Sequence, residues 1–291
     1  MKFLSLCLVF FLSACSLTPK NGLPSNPDQP PQKAPIKLGL ALGGGAARGF
    51  AHVGVIQVLE ENGIKPDVVT GTSAGALVGA IYASGKDGRA LQKVAEEMDE
   101  ATITDWTLPF LSRGVLRGDA YEKYVGNQVA HRLIEQAVIP LGIVATDLKT
   151  GQGVLFRRGD MALAVRASSA VPGIFQPVKI GQIEYVDGGL VSPVPVRFAR
   201  QMGATVVVGV DISSSPEGEA SDSSMQVLLK TFTIMGKSIN DFELKNADIL
   251  VRPALVGVKS ADFTAKKRSI EAGRAAMLAE LPKLKALLDQ R

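Results

Sequence analysis

The sequence predicts a layered α/β domain built on a largely parallel or mixed β-sheet. Short apolar runs with the length of buried strands alternate with longer segments that have the apolar spacing of helices. A chain of 291 residues with 46% hydrophobic and 21% charged residues is long enough to bury one large core. We expect the domain to extend over residues 36–291, because the composition changes abruptly at residue 36.

The residues before this domain predict a signal segment, a lipid anchor and a linker. Lys2 precedes an apolar run, residues 3–12, that is too short to span a bilayer as a helix. The sequence L-S-A-C at residues 12–15 resembles a bacterial lipobox, which predicts a signal peptide of residues 1–14 and lipidation of Cys15. An ordinary secretory signal with an incidental cysteine is the alternative. Six prolines then predict an extended linker up to residue 35.

The same segment predicts a location in the bacterial cell envelope. Ser16 resembles the residue that follows the lipidated cysteine in lipoproteins of the outer membrane, so that membrane is expected in a Gram-negative source. Cleavage removes Cys7 and leaves Cys15 as the sole cysteine, so the mature chain has no internal disulfide. A net charge of +4 without basic runs gives no reason to expect nucleic acid as a partner.

The first half of the domain alternates predicted strands with predicted helices. Residues 36–42 alternate apolar side chains as a strand does, and residues 66–70 have the length of a short buried strand. Residues 50–62 have helical spacing and end at Gly63, a residue type that commonly terminates helices. Further helices are predicted over residues 76–83, 90–100 and 119–132.

The second half adds strands before a C-terminal helical region. Residues 140–146 and 153–157 have the pattern of strands on either side of a turn, and residues 178–186 have that of a hairpin. Further elements are predicted as a helix over residues 161–169, strands over 205–212 and 249–252, and a terminal helix or helix pair over 265–288. The irregular stretches 102–118 and 213–224 are either a mobile lid or surface loops.

The pentapeptide G-T-S-A-G at residues 71–75 lies between a predicted strand and a predicted helix. G-x-S-x-G in this position is the arrangement of a nucleophile elbow, in which a tight turn exposes a serine hydroxyl. Glycines permit the strained turn, and a helix that begins beside Ser73 favours a developing anion. In a chain with 30 glycines the motif can also occur by chance as a glycine-rich turn. Other motifs in the sequence are therefore needed to distinguish a nucleophile elbow from a simple turn.

Three consecutive glycines, Gly43, Gly44 and Gly45, separate the first predicted strand from the first helix. Their N–H groups can approach a phosphate or an oxyanion without obstruction by side chains. A P-loop requires a lysine where Phe50 stands, and a dinucleotide fingerprint lacks its final glycine here. The loop therefore favours an oxyanion over a nucleotide.

A serine nucleophile requires a base, and the chain has two histidines. His52 has apolar neighbours in a predicted helix, which favours a structural role, and His131 is expected at the surface. Neither lies in a glycine-rich loop downstream of the serine, where an α/β-hydrolase places its histidine. Asp187 follows an apolar strand and precedes two glycines, so it is either a turn residue or the base. A carboxylate base is the more economical hypothesis.

Four blocks of this sequence resemble the patatin-like phospholipase family. They are G-G-G-A-A-R-G at residues 43–49, G-T-S-A-G at 71–75, A-S-S-A-V-P-G-I-F at 167–175 and D-G-G at 187–189. The resemblance covers residues 36–196, and the later elements are a less specific extension. It implies a three-layer α/β/α domain.

The resemblance also implies a serine acyl hydrolase with a Ser–Asp dyad. Ser73 is then the nucleophile, Asp187 the general base and the backbone amides of residues 43–45 the oxyanion hole. Arg48 is expected to support this loop, either by positioning it or by tying it to a carboxylate. The implied substrate is a phospholipid or another acyl ester, and no metal or cofactor is required.

Two alternatives stay open on the sequence alone. One is a lipid-anchored binding or scaffold protein that retains the fold without turnover. The other is an α/β-hydrolase esterase with a histidine-containing triad. An intact Ser73, Asp187 and glycine loop argue against the first, and the positions of the two histidines argue against the second.

Overall fold

A computed structural model describes residues 35–107, 113–218 and 221–289 of the chain. The predicted signal peptide, Cys15 and the linker as far as residue 34 lie outside the described residues. The described residues belong to one unit that begins at Pro35.

The described strands form a sheet of eight and a smaller sheet of two. They are β1 (Leu38–Leu42), β2 (Val68–Thr72), β3 (Gly114–Leu116), β4 (Leu141–Asp147), β5 (Gly153–Phe156), β6 (Gly173–Phe175), β7 (Val178–Ile180), β8 (Ile183–Asp187), β9 (Val206–Val210) and β10 (Ile249–Val251). Strands β10, β9, β1, β2 and β4 are parallel neighbours in this order. Strands β5, β7 and β8 join by antiparallel pairing, and β3 pairs with β6 in the small sheet. The large sheet is thus mixed and mostly parallel, which confirms the predicted fold class.

Helices cover both faces of the large sheet. They are α1 (Phe50–Glu61), α2 (Ala74–Ala83), α3 (Gly88–Glu97), α4 (Glu100–Ile103), α5 (Asp119–Gln128), α6 (Met161–Ser168), α7 (Val196–Gln201), α8 (Ser224–Glu243) and α9 (Lys266–Leu288). Leu40 of β1 points into the larger core with α1, α2 and α9, whereas its neighbour Ala41 points into the core with α7. All of β1 is therefore buried, as expected for a parallel strand between two helical layers. Among the described helices, none combines the length and apolarity needed to cross a membrane.

Two of the predicted helices are divided or end earlier in the structure, and the predicted terminal region takes one of its two expected forms. The helix predicted over residues 90–100 is divided, because Asp99 accepts a hydrogen bond from Ala101 N and begins α4. The helix predicted over residues 119–132 ends at Gln128, because Ala130 and His131 adopt left-handed backbone angles. The terminal region is a single helix, α9.

Helix α8 has no counterpart among the predicted elements. Its 20 residues carry apolar side chains on more than one side, which obscures the one-sided periodicity that indicates a helix. A second signal was available at its start. Ser223 and Gln226 form a reciprocal capping box, and the S-x-x-Q spacing is a recognised helix N-terminus.

The carboxyl ends of β2 and β8 meet end to end along one edge of β4. The middle of β4 pairs with β2 and β5 at once, and the residues that follow pair with β5 and β8. Since a strand has only one neighbour on each side, β2 and β8 share the edge opposite β5. Strand β2 runs parallel to β4 and β8 runs antiparallel to it, so Thr72 lies opposite Val144 while Asp187 lies opposite the next residue, Ala145.

The order of the strands reverses beside β1. From β1 the chain adds β2 and β4 on one side, and later adds β9 and β10 on the other. Loops that leave the carboxyl ends of strands on either side of such a reversal diverge and form a crevice, where ligands bind in open α/β sheets. The loops that follow β1, β2 and β9 all leave this edge of the sheet.

Candidate active site

Ser73 occupies a strained turn between β2 and α2. Its φ of 54° and ψ of −119° are unusual for a residue other than glycine. A Cβ on Gly71 would lie 2.4 Å from Gly75 O, and one on Gly75 would lie 2.1 Å from Leu42 O. Both flanking positions therefore require glycine for steric reasons. The strand–serine–helix arrangement predicted from the pentapeptide is present.

The segment 167–175, known from sequence only as part of the resemblance, ties the two strand ends together. The backbone N–H of Ser73 donates to Ser168 Oγ at 2.9 Å, and this hydroxyl donates to Val144 O at 2.5 Å. The backbone N–H of Asp187 donates to Ala170 O at 3.0 Å. The segment thus fixes the backbone of both Ser73 and Asp187.

Asp187 is a buried carboxyl group at the end of β8. Its Oδ1 accepts the Gly189 N–H at 2.6 Å, whereas Oδ2 has no hydrogen-bond partner among the described residues. Burial raises the pKa of Asp187 to about 6, and the Gly189 N–H and the Ser73 hydroxyl oppose this shift. The carboxyl group is therefore poised to exchange a proton close to neutral pH.

Ser73 and Asp187 are brought together as the sequence predicts. The Ser73 hydroxyl is close enough to favour the charged form of the carboxyl group. Oδ2 of Asp187 has no hydrogen-bond partner among the described residues and can accept a proton. Such pairs often tighten when a substrate binds.

The glycine loop is held against two other segments by its first two amides. Gly43 N–H donates to Val210 O at 3.0 Å, and Gly44 N–H donates to Pro193 O at 2.9 Å. A Cβ on Gly44 would lie 3.2 Å from Ser73 Cβ, so the loop passes directly beside the serine. These two N–H groups hold the loop in place and are not free to bind an oxyanion.

Other backbone amides near Ser73 remain available to a ligand. The N–H groups of Gly45, Ala46 and Ala74 donate no hydrogen bond to the described residues, and all three residues line one cavity together with Ser73. Of the three glycines expected to form an oxyanion hole, Gly45 alone has an N–H group that the described residues leave unused. Sequence reasoning did not predict the unused N–H groups of Ala46 and Ala74. Ala74 directly follows the serine, as an oxyanion-hole donor does in a nucleophile elbow.

Arg48 and His52 support the glycine loop from its buried side. The Arg48 side chain is buried, and its Nε donates to Ile212 O at 2.8 Å, which ties the loop to the segment after β9. His52 is fully buried, and its Nε2 lies 2.8 Å from Gly43 O. Burial lowers the pKa of His52 to about 4, so the ring is neutral and donates from Nε2 to the carbonyl. His52 does not line the cavity that contains Ser73, and His131 is exposed.

The loop after β8 is anchored by a buried acid that sequence reasoning missed. Thr72 Oγ1 donates to Ser192 O at 2.8 Å, and Ser192 Oγ donates to Glu243 Oε2 at 2.5 Å. Glu243 also forms an ion pair of 3.1 Å with Arg197 Nε. Burial raises the pKa of Glu243, and both partners oppose this shift. No motif marks Glu243, because it lies far from these partners in sequence.

A large apolar cavity opens above Ser73. Its volume is about 1240 Å³, which exceeds the roughly 300–1,000 Å³ of common small-molecule sites. Ser73, Asp187 and the glycine loop supply polar groups at one part of its wall. The wall is otherwise mostly apolar, with side chains that include Leu77, Ile81 and Phe175. The described parts of both irregular stretches, 102–118 and 213–224, also border the cavity.

The fold and this arrangement define a serine-centred site at the carboxyl edge of an α/β sheet. Residues 40–200, more than half of the chain, match the family model described as patatin-like phospholipase. The chain belongs to this family, which confirms the resemblance drawn from the four sequence blocks.

Comparisons with individual proteins agree with this assignment. An NTE family protein of Mycobacterium tuberculosis is 36% identical over 203 residues, which cover 69% of this chain and 56% of that protein. Patatin-like phospholipase domain-containing protein 6 of Mus musculus is 32% identical over 193 residues, which cover 63% of this chain and 14% of that protein. The crystal structure of VipD from Legionella pneumophila shares the fold, with a TM-score of 0.59 at 15% identity over 86% of this chain and 67% of VipD. The chain thus spans about half the length of the mycobacterial relative and much less of the mouse one.

We predict that the neutral His52 makes stability depend on pH. Its folded-state pKa of about 4 lies below the ordinary histidine pKa of 6.5, so between these two pH values the unfolded chain binds more protons and stability falls as the pH is lowered. His52→Gln keeps an N–H donor for Gly43 O but does not titrate. Relative to this variant, the wild type should lose about 2 kcal/mol of unfolding free energy between pH 8 and pH 5, as measured by urea denaturation. Equal pH dependence in both proteins would contradict a buried neutral histidine. Asp187, whose pKa is raised on folding, makes the unfolding free energy depend on pH in the opposite direction. Because both proteins contain Asp187, its contribution cancels when the wild type is compared with His52→Gln.

Proposed function

We propose that this protein is a serine acyl hydrolase that cleaves acyl esters of lipids with a Ser73–Asp187 dyad. The observation that carries the proposal is a buried carboxyl group with one unsatisfied oxygen and a raised pKa, placed beside a strained serine. A raised pKa matched to the working pH is characteristic of a general base. Membership of the patatin-like phospholipase family supports the same reaction.

The dyad accounts for both half-reactions. Asp187 takes the proton of the Ser73 hydroxyl as Oγ attacks the ester carbonyl carbon, and the carbonyl oxygen becomes an oxyanion. The free N–H groups of Gly45, Ala46 and Ala74 are placed to stabilise this charge. The leaving alcohol then takes the proton from Asp187, which leaves an acyl-enzyme. In the second half, water gives a proton to Asp187 as its oxygen attacks the acyl carbon. Asp187 then returns this proton to Ser73 Oγ as the bond between Oγ and the acyl carbon breaks and the fatty acid departs.

The cavity supports a lipid as the substrate. Its size and its mostly apolar wall suit acyl chains, and Ser73 lies among polar groups at one part of that wall. An ester bond at the polar end of an acyl chain meets both requirements. Phospholipids, which the family's name specifies, carry such bonds.

We predict that Ser73→Ala abolishes hydrolysis of a p-nitrophenyl acyl ester and that Asp187→Asn nearly does so, because the first removes the nucleophile and the second its base. Ser84→Ala, at the other end of α2, is the matched control and should retain wild-type turnover. A fluorophosphonate probe should label the wild type at Ser73. Absence of both labelling and turnover in the folded wild type would instead favour a binding protein that retains the fold.

We predict that kcat/KM falls as the pH is lowered through about 6, because Asp187 must be charged to accept the serine proton. This fall in kcat/KM at low pH, the acid limb of the profile, should persist in His52→Gln. The glutamine side chain cannot act as a base but can still donate a hydrogen bond to Gly43 O. Profiles of kcat/KM against pH for the two proteins provide the measurement. Loss of the limb and of turnover in His52→Gln, with folding intact, would assign the base to histidine and overturn the dyad.

We also propose that lipidated Cys15 anchors the protein to the bacterial cell envelope, with the outer membrane as the site in a Gram-negative source. The support is the L-S-A-C sequence after the apolar run, followed by Ser16. Mass spectrometry of the N-terminal peptide of the mature protein tests this. An uncleaved or unmodified Cys15 would contradict the anchor and would leave the dyad untouched.

A further inference from the structure

Helix α8 forms part of the wall of the cavity above Ser73. The side of the helix that faces the cavity carries Leu229, Phe232 and Gly236, together with the more polar Gln226, Thr233 and Lys237. Only Asn240 and Glu243, in its last turn, are buried. The helix is therefore attached at its C-terminal end and borders the cavity along most of its length.

The opposite side of α8 is exposed and apolar. It carries Val227, Leu228, Ile234, Met235 and Phe242, whose side chains are between 40% and 73% exposed. At 3.6 residues per turn these positions fall within about one third of the helix circumference. The residues between them in the same arc are Thr231 and Ser238, so this arc contains no charge. We refer to these five apolar residues as the outward face.

An uncharged apolar face is unusual on the solvent side of a helix. Surface helices normally carry charged and polar residues there, and contiguous exposed apolar patches mark sites of interaction. The inner side of the same helix lines the cavity. Val256, which is 92% exposed, lines the same cavity as the inner side of α8.

Most of the exposed charges near this face are positive. Lys230 and Lys237 lie seven residues apart on one flank of the outward face, and Asp241 lies on the same flank. Lys245, directly after the helix, lies over the ring of Phe242 at 5.1 Å from its centroid. An apolar helix face flanked by lysines is the pattern of a helix that lies in the surface of an anionic bilayer.

We propose that the outward face of α8 docks on the surface of an anionic lipid bilayer, so that the helix whose inner side lines the cavity lies at that surface. The choice of a bilayer as the occupant rests on the proposed function, since lipid must reach Ser73 through this cavity. The apolar side chains enter the acyl region and the lysines pair with lipid phosphates. Docking here is separate from the anchor proposed at Cys15, which determines only that the protein stays near a membrane.

The test places an indole in the outward face of the full-length protein. Trp106 is the sole tryptophan, so Trp106→Phe combined with Phe242→Trp leaves one fluorophore at position 242. The matched control combines Trp106→Phe with Leu278→Trp, at a half-exposed position on α9 that does not line the cavity. Vesicles contain equal parts of phosphatidylglycerol and phosphatidylcholine, with bromine on the acyl chains as a quencher.

Docking predicts that the indole at position 242 shifts to shorter wavelength and loses most of its emission on these vesicles, whereas the indole at position 278 changes little. Because the quencher reports contact at one residue, an anchored N-terminus alone does not produce this difference. Equal quenching at both positions would overturn the proposal. Emission from the indole at position 242 that is already shifted to shorter wavelength before lipid is added would also overturn the proposal. The face would then be covered by the N-terminal segment or by a second copy of the chain. Dilution reverses the shift if a second copy covers the face and leaves it unchanged if the N-terminal segment does.

Two further variants test the chemistry of docking. Lys245→Gln should raise the lipid concentration needed for half-maximal quenching about fivefold on anionic vesicles and have little effect with phosphatidylcholine alone. Ile234→Ser should slow hydrolysis of vesicle phospholipid but leave hydrolysis of a soluble p-nitrophenyl ester unchanged, because Ile234 does not line the cavity. Unchanged rates on vesicles would contradict docking through this face. Loss of soluble-ester hydrolysis in the wild type would instead contradict the proposed function, while quenching still reports on docking.

Discussion

The end-to-end meeting of β2 and β8 on one edge of β4 is the constraint on which the candidate site depends. A parallel and an antiparallel strand share that edge, and Thr72 and Asp187 lie opposite consecutive residues of β4. Ser73 follows Thr72 directly, so the register of two strand pairs sets the distance between the serine and the carboxyl group. A slip of one residue in either pair would turn the side chains of that strand to the other face of the sheet. The hydrogen bonds that Ser73 N–H and Asp187 N–H donate to Ser168 Oγ and Ala170 O hold both strand ends in this register.

Burial shifts the pKa values of the two candidate bases in opposite directions. The same loss of solvation raises the pKa of Asp187 to about 6 and lowers that of His52 to about 4. The carboxyl group keeps one oxygen unsatisfied beside Ser73, whereas the imidazole donates to Gly43 O and stays away from the cavity. A low-dielectric environment thus gives the acid a proton affinity suited to catalysis and fixes the histidine as a neutral support for the glycine loop.

Sequence alone could predict the parts of the site that depend on local geometry. Gly71, Ser73 and Gly75 belong to one tight turn, and the spacing of the motif reports its steric demands directly. The use of each N–H group in the glycine loop could not be predicted in this way. Gly43 and Gly44 donate to Val210 O and Pro193 O, which are about 150 residues away in the chain and are brought close only by the fold. Three adjacent glycines look equivalent in sequence, but long-range hydrogen bonds use the N–H groups of the first two and leave that of the third unused.

Glu243 was missed for the same reason, and it connects α8 to the site. Asn240 and Glu243 are the buried residues in the last turn of α8, and Glu243 accepts the Ser192 hydroxyl while Asn240 donates to Ser213 Oγ at 2.9 Å. Ser192 in turn accepts a hydrogen bond from Thr72, and the next residue, Pro193, accepts one from Gly44. The helix that borders the cavity is therefore joined by three hydrogen bonds to the residue before Ser73 and to the glycine loop. The position of α8 and the position of the backbone before Ser73 therefore both depend on hydrogen bonds to Ser192.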